Sequence, residues 1–194
     1  MTPSDEDLMV LAGRGDRAAC SALVERHLKR VVTFAHRMLG NRSDAEDAAQ
    51  EVFLRVWAAA KGWRGGSRFT TWLHRVAANV CLDRLSKVQK MREVSTAESG
   101  QLAELVELVD PGPDPSVAAH AADVARHVQD ALAALPPTQR LAVTLCHCEG
   151  LRNIEAAAIM EISVEALESL LARGRHAMRA RLQPMAPVLI GKEG

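Results

Sequence analysis

The sequence predicts an all-α protein: two small helical domains joined by an acidic linker. Three observations carry this. The 194-residue chain holds three Trp, three Phe and no Tyr, so its core must be Leu, Val, Ile and Ala, which suits helices better than sheets. Apolar residues recur at three- and four-residue spacing on both sides of the middle. Between about Glu93 and Pro115 the text turns to "STAESGQ" and "DPGPDP", which are loop-forming.

Over residues 5–38, Leu8, Leu11, Leu23, Val24, Leu28, Val31, Val32 and Ala35 keep helical spacing. "GRGD" at 13–16 ends a first helix and "LGNRSD" at 39–44 ends a second. Ser43 followed by Glu46 reads as a capping box, so a third helix is expected from Asp44 to about Lys61. "GWRGGS" at 62–67 is a loop, and Thr70 or Thr71 can cap a fourth helix running to about Lys87. An amphipathic piece, "LAELVELV", sits inside the linker. A helix resumes near Val117 and reaches Leu135, and "LPPTQR" starts another, since Pro is tolerated in a first helical turn. "CEGL" at 148–151 ends it at Gly150. Two more helices are expected, Ile154–Met160 and Val164–Leu182, with Ser163 capping the last. The expected organisation is a first domain over 1–92, a linker over 93–120, a second domain over 121–184 and a tail over 185–194.

The net charge of zero hides an uneven distribution. Residues 1–92 carry 16 basic and 10 acidic side chains, 93–135 carry one and eight, and 136–194 carry seven and six. An acidic middle between two less acidic ends points to a segment with its own electrostatic task. No apolar run is long enough to span a bilayer, and the acidic start "MTPSDEDLMVLAGRGD" is unlike a signal peptide. A cytoplasmic protein without membrane insertion is expected, its four cysteines free thiols. Cys146, His147 and Cys148 are adjacent ligand types, but neighbours on a helix point different ways, so no metal site is expected. There is no phosphate loop or nucleophile elbow; neither an enzyme nor a cofactor is expected.

Three constellations carry the chemistry. Trp63, Phe69 and Trp72 fall within ten residues of one another, interleaved with Arg64, Arg68 and Arg75 around Gly65–Gly66. A melted DNA strand exposes its base faces, on which such rings can stack at roughly 1–3 kcal/mol per base. Asn79 can hydrogen-bond the edge of an unstacked base, and Arg64, Arg68, Arg75 and Arg84 can meet phosphates. The same rings can equally be hydrophobic anchors for the loop. Asp44, Asp47, Gln50, Glu51 and Leu54 form a stripe on the preceding helix, either a protein-docking face or a solvated surface. Residues 150–182 read as helix, tight turn and longer helix, the helix-turn-helix pattern. Arg173, Arg175, His176, Arg179 and Arg181 follow towards its far end, suited to phosphates or simply to solvent.

"DAEDAAQEVFLRVWAAAKGWRGGSRFTTWLHRVAANVCLDRLSK" resembles conserved region 2 of bacterial RNA polymerase sigma factors of the compact extracytoplasmic-function (ECF) group. "ALPPTQRLAVTLCHCEGLRNIEAAAIMEISVEALESLLARGRHAMRARL" resembles region 4 of the same group. The resemblance implies that Asp44, Asp47, Gln50, Glu51 and Leu54 dock on the clamp helices of the polymerase β′ subunit, with β as a further contact. It implies that Trp63, Arg64, Ser67, Arg68, Phe69, Trp72, Arg75, Asn79 and Arg84 bind and melt the promoter −10 element, Asn79 at the base-reading position. It implies −35 binding through Arg152, Ser163, Glu165, Glu168, Ser169, Arg173 and Arg175. The linker would thread the channel that nascent RNA later occupies, and an anti-sigma factor is the implied regulator. Glu165, Glu168 and Leu170 stand where small or basic residues are more usual, and Arg152–Asn153 replace Ser-Tyr, which implies a −35 sequence of this chain's own. The alternative is a stand-alone helix-turn-helix regulator of duplex DNA.

Overall fold

A computed structural model describes residues 2–66, 68–95 and 115–185. Met1, Ser67, residues 96–114, which hold "LAELVELV" and all but the last proline of "DPGPDP", and the tail from residue 186 lie outside the described residues. Eight α-helices and no strand occur among the described residues.

The helices begin where the chain can satisfy exposed backbone N–H groups. α1 (Asp5–Gly13) starts at Ser4, whose hydroxyl accepts from the Asp7 N–H while Asp7 reaches back to Ser4. α2 (Arg17–Leu39) starts at Asp16, whose carboxylate accepts from Ala18 and Ala19. It stops at Gly40, at φ 90°, a left-handed conformation that suits a residue without Cβ. α3 (Arg42–Ala60) begins two residues before the expected start, because Asn41 rather than Ser43 caps it, accepting from the Asp44 N–H at 2.7 Å. α4 (Phe69–Ser95) starts before either threonine and runs well past Lys87. Its first N–H, on Phe69, donates to Glu6 Oε1 at 2.9 Å, so a side chain 63 residues away supplies the cap.

α5 (Pro115–Ala133), α6 (Pro137–Val143), α7 (Asn153–Met160) and α8 (Val164–Leu182) make the second bundle. α6 passes into a π turn over Thr144–Cys148, and Gly150 follows at φ 69°. α8 has the expected bounds, and Ser163 caps it by accepting from the Ala166 N–H.

Leu23, Phe34, Met38, Val52 and Val56 lie in the centre of the first bundle; Leu141, Leu145, Ile159, Leu167 and Leu171 fill the second. Two glycines permit close crossings. A Cβ at Gly13 would lie 2.4 Å from the Ala60 carbonyl oxygen, and one at Gly174 would lie 2.7 Å from Val143 Cγ2.

The buried residues of both bundles form one continuous apolar core. α2 and α4 pack against α5, α6 and α7. Polar contacts fasten this seam at the C-terminal end of α2, where backbone carbonyls lack helical partners. Gln129 donates to the His36 carbonyl at 2.8 Å. The buried Arg140 guanidinium donates to the carbonyls of Met38, Ala133 and, at 3.1 Å, Leu135. One cation thereby serves the ends of two helices, where the dipole favours positive charge.

Candidate nucleic-acid interface

On α3, Ala45, Ala48, Ala49, Val52 and Val56 turn inward, which leaves Asp44, Asp47, Gln50 and Leu54 on the outside. Leu54 is 66% exposed. A large apolar side chain set among acids and an amide is the anchor-in-polar-rim pattern of a protein contact. Glu51 is the exception in this stripe. It is half-buried and accepts from Arg55 at 2.6 Å and from Arg84 at 3.2 Å. Burial pushes its carboxyl up, but these two guanidinium groups outweigh that and hold it below its ordinary value. Glu51 and Arg84, which the sequence suggests for different partners, therefore bond to each other.

The loop between α3 and α4 brings three rings together. Trp63 lies edge-on to Trp72 at 5.3 Å and to Phe69 at 6.1 Å between ring centroids. Phe69 also faces His27 at 5.2 Å and is 0% exposed. This corrects the expectation for Phe69: with both faces covered, it has none to offer a base and is the anchor of the loop. Trp63 and Trp72 are half-buried and keep open surface. Arg64 and Arg68 are exposed, and neither has a carboxylate partner within ion-pair distance among the described residues. Gly65 takes φ 67°, which permits the sharp turn presenting these arginines.

Farther along α4, Leu73, Ala77 and Val80 are buried, while Asn79 is exposed. Its side-chain amide makes no hydrogen bond among the described residues. Arg75 is engaged: its Nη2 donates to the Ala158 carbonyl at 2.6 Å and its Nη1 lies 3.5 Å from Glu161. Both partners belong to the second bundle, at the end of α7 and the turn after it.

α7, a tight turn and α8 form the helix-turn-helix. Ala157 is buried at the crossing, and Glu161 makes the turn in the left-handed region at φ 56°. Leu167, Leu171 and Gly174 turn inward, so Glu165, Glu168, Ser169, Arg173 and Arg175 face out. Several of these are already oriented. Glu168 accepts from Asn153 at 3.3 Å, and Arg173 donates to the Ser169 carbonyl at 3.3 Å. The Ser163 hydroxyl is taken up by its cap. Arg152 binds Glu155 through two nitrogens at 3.2 and 3.1 Å, and this holds the Glu155 carboxyl below its ordinary range, the Arg68 charge adding to the effect.

The largest electrostatic feature is one that the sequence reading does not single out. The Glu149 side chain is 4% exposed. Its carboxylate accepts from Arg30 Nε at 2.8 Å and Arg37 Nη1 at 2.9 Å, with His74 Nε2 at 3.4 Å. His74 Nδ1 faces the Thr70 carbonyl at 2.8 Å, and a carbonyl only accepts, so Nδ1 carries a proton. Burial pushes the Glu149 carboxyl up, but its donors prevail and hold it at about 2. The seven-residue spacing of Arg30 and Arg37 on one face of α2 was legible, but their partner, more than 110 residues on, was not.

Comparison with known proteins bears on both bundles. Residues 23–91 match the family described as Sigma-70 region 2, and residues 125–178 match Sigma-70, region 4. The chain is 35% identical over 182 residues to the ECF RNA polymerase sigma factor SigE of Mycolicibacterium smegmatis, covering 91% of this chain and 68% of that protein. It is 29% identical over 174 residues to the ECF RNA polymerase sigma factor SigW of Bacillus subtilis, covering 89% and 93%. Among solved structures, the sigma factor RpoE in complex with the anti-sigma factor NepR from Bartonella quintana shares the fold, with a TM-score of 0.64 at 21% identity over 84% of this chain and 96% of that one.

Proposed function

The chain belongs to the ECF family of RNA polymerase sigma factors, and on that premise we propose how its surfaces divide the work of promoter opening. It is a non-catalytic transcription initiation factor. The first bundle serves core polymerase and the −10 element. The second serves the −35 element. Among the described residues no helix is long and apolar enough to cross a membrane, and the reading places the protein in the cytoplasm, where polymerase works.

The exposed Leu54, with Asp44, Asp47 and Gln50 around it, docks on the β′ clamp helices, and β supplies a further contact. Glu51 contributes by ordering Arg55 and Arg84 beside that face. One observation carries the −10 assignment: Asn79 stands exposed on α4 with its amide unpaired, one helix face along from two half-buried tryptophans and a glycine turn bearing Arg64 and Arg68. Bases leaving the stack can lie on Trp63 and Trp72, phosphates meet the guanidinium groups, and the Asn79 amide reads a base edge. Arg75 lies on this face, and Ser67 is assigned to the same element by the resemblance alone. On α8, Glu165, Glu168, Ser169, Arg173 and Arg175 enter the major groove of the −35 element, with Arg152 and the Ser163 helix start beside the backbone. Glu165 and Glu168 can accept from cytosine N4, which selects a promoter sequence peculiar to this chain. The acidic linker occupies the RNA channel as a nucleic-acid mimic, and an anti-sigma factor regulates the protein.

The test is run-off transcription of genomic fragments with bacterial core polymerase, comparing wild type, Asn79→Ala and Leu54→Asp. Wild type should give specific starts. Asn79→Ala should lose them with core binding intact, and Leu54→Asp should lose core binding. Unaltered starts with Asn79→Ala would remove base reading from α4.

A further inference from the structure

Capture of a melted strand by Trp63 and Trp72 depends on where the loop between α3 and α4 places them, and little within the loop fixes that place. Three of its residues, Gly62, Gly65 and Gly66, are glycine, the residue with the most backbone freedom to lose. The buried Trp63 indole N–H has no acceptor among the described residues, so no hydrogen bond from the ring holds it. The rings stand where the two ends of the loop put them.

Both ends rest on α1. Where the loop enters α4, Glu6 Oε1 accepts from the Phe69 N–H at 2.9 Å, and the Phe69 ring lies 6.1 Å from each tryptophan between centroids. Where the loop leaves α3, the Ala60 carbonyl accepts from the Trp63 N–H at 3.2 Å. Gly13 lies so close to that same carbonyl that no Cβ fits between them. One turn of the loop is thus backed by the last residue of α1 and the other by its second residue, about 10 Å away along the helix axis. α1 is itself fastened to α2. Asp5 accepts from Arg26 at 2.9 Å and faces His27 Nε2 at 2.8 Å, Leu8 and Met9 are buried, and the His27 ring packs on Phe69 at 5.2 Å. All of α1 precedes residues 23–91, the stretch that matches region 2.

We propose, on the strand-binding reading of Trp63 and Trp72 given above, that α1 is a splint for the melting loop and Glu6 its positioning residue: the hydrogen bond from the Phe69 N–H to Glu6, with the Gly13 contact at the opposite end, holds the two tryptophans ready for unstacked bases. Glu6 does not touch the strand; it acts through Phe69. A loop ordered in advance spares the strand the entropy of ordering it. That saving matters most when duplex must be broken, since each base-pair step lost costs about tenfold in the opening equilibrium.

The full-length chain, assembled with core polymerase, tests it on a promoter fragment that gives a specific start. The fragment is used in two forms, fully duplex and with a mismatched, already open −10 element. Permanganate reactivity of the −10 thymines reads opening. Glu6→Ala should lower opening of the duplex on the order of tenfold and leave the mismatched form within about twofold, with core binding unchanged. Glu6→Gln keeps an acceptor oxygen and removes the same charge, so it should stay within about threefold of wild type on both forms. The difference between the two variants therefore reads the hydrogen bond and not the local charge. Gly13→Ala disturbs the splint from its other end, should show the same selective loss, and carries the test if Glu6→Ala does not fold. Duplex opening by Glu6→Ala at the wild-type level overturns the proposal. So does an equal loss on both forms or a loss of core binding, which would make Glu6 a support of the fold alone, and so does a loss in Glu6→Gln as large as in Glu6→Ala. Failure of the strand-binding reading itself shows elsewhere, as unaltered starts with Asn79→Ala.

Discussion

Acid should weaken the seam by an amount that the surroundings of Glu149 set. An exposed ion pair is worth about 0–1 kcal/mol, but this carboxylate is 4% exposed and accepts from two guanidinium groups, with the His74 ring beside it. Its value of about 2 against the ordinary 4.5 corresponds to about 3 kcal/mol of preference for the charged form. A carboxyl held lower in the folded state stabilises fully above its unfolded value and loses that contribution as pH falls towards the folded one. The window is therefore pH 4.5 down to 2, and about 2 kcal/mol is gone by pH 3. The assay is urea unfolding of wild type and Glu149→Gln from pH 7 to pH 3. Circular dichroism follows both bundles. Trp57, Trp63 and Trp72 all lie in the first, so fluorescence follows that one alone. Asp7, Glu51, Glu155 and Glu165 are also held low, but they are common to both proteins and cancel in the difference. The stability gap between wild type and variant should be about 3 kcal/mol at pH 7 and should shrink by about 2 kcal/mol at pH 3. A gap that does not change with pH, or widens on acidification, would refute the reasoning.

Arg140→Met should lower stability by about 3 kcal/mol, because it strips donors from buried carbonyls at the ends of α2 and α5. Arg140→Lys should recover only part of this, since an ammonium lacks the planar fork; thermal melts of the two variants check the order. Gly13→Ala should destabilise by about 1–3 kcal/mol despite the better helix propensity of alanine, because the new methyl meets the Ala60 backbone oxygen at 2.4 Å; denaturant midpoints decide it. The Cys81 thiol is pushed by burial up to about 12, so at pH 8 it should resist iodoacetamide in the folded chain and react in urea. Mass spectrometry of the labelled peptides reads this directly, and rapid native labelling of Cys81 would contradict it.

What could be read from the amino-acid order is what depends on near neighbours. The two bundles, the breaks at "GRGD" and "LGNRSD", the Gly150 turn and the Ser163 start of α8 follow from hydrogen bonds and side-chain contacts within a few residues, and each lies close to where the spacing puts it. The stripe ending in Leu54 and the exposed Asn79 were legible for the same reason, because helical period sets which face a residue takes. Two helix starts differ from the local signal because a competing cap wins: Asn41 in place of Ser43, and Glu6 reaching Phe69 across 63 residues. The remaining features were settled by packing across long stretches of chain. Phe69 looked like a stacking ring because it stands among arginines, yet its environment is His27 and two tryptophans. Arg84 looked free for phosphate, yet Glu51 from the neighbouring helix holds it. Glu149 and Arg140 carry no functional signal in the sequence and Arg75 reads as a phosphate contact, yet all three fasten the seam where the two helical bodies meet. A charge in isolation carries no record of its partner: hydrophobic burial brings the helices together without regard to sign, and only then does the short range of a hydrogen bond select which carboxylate meets which guanidinium.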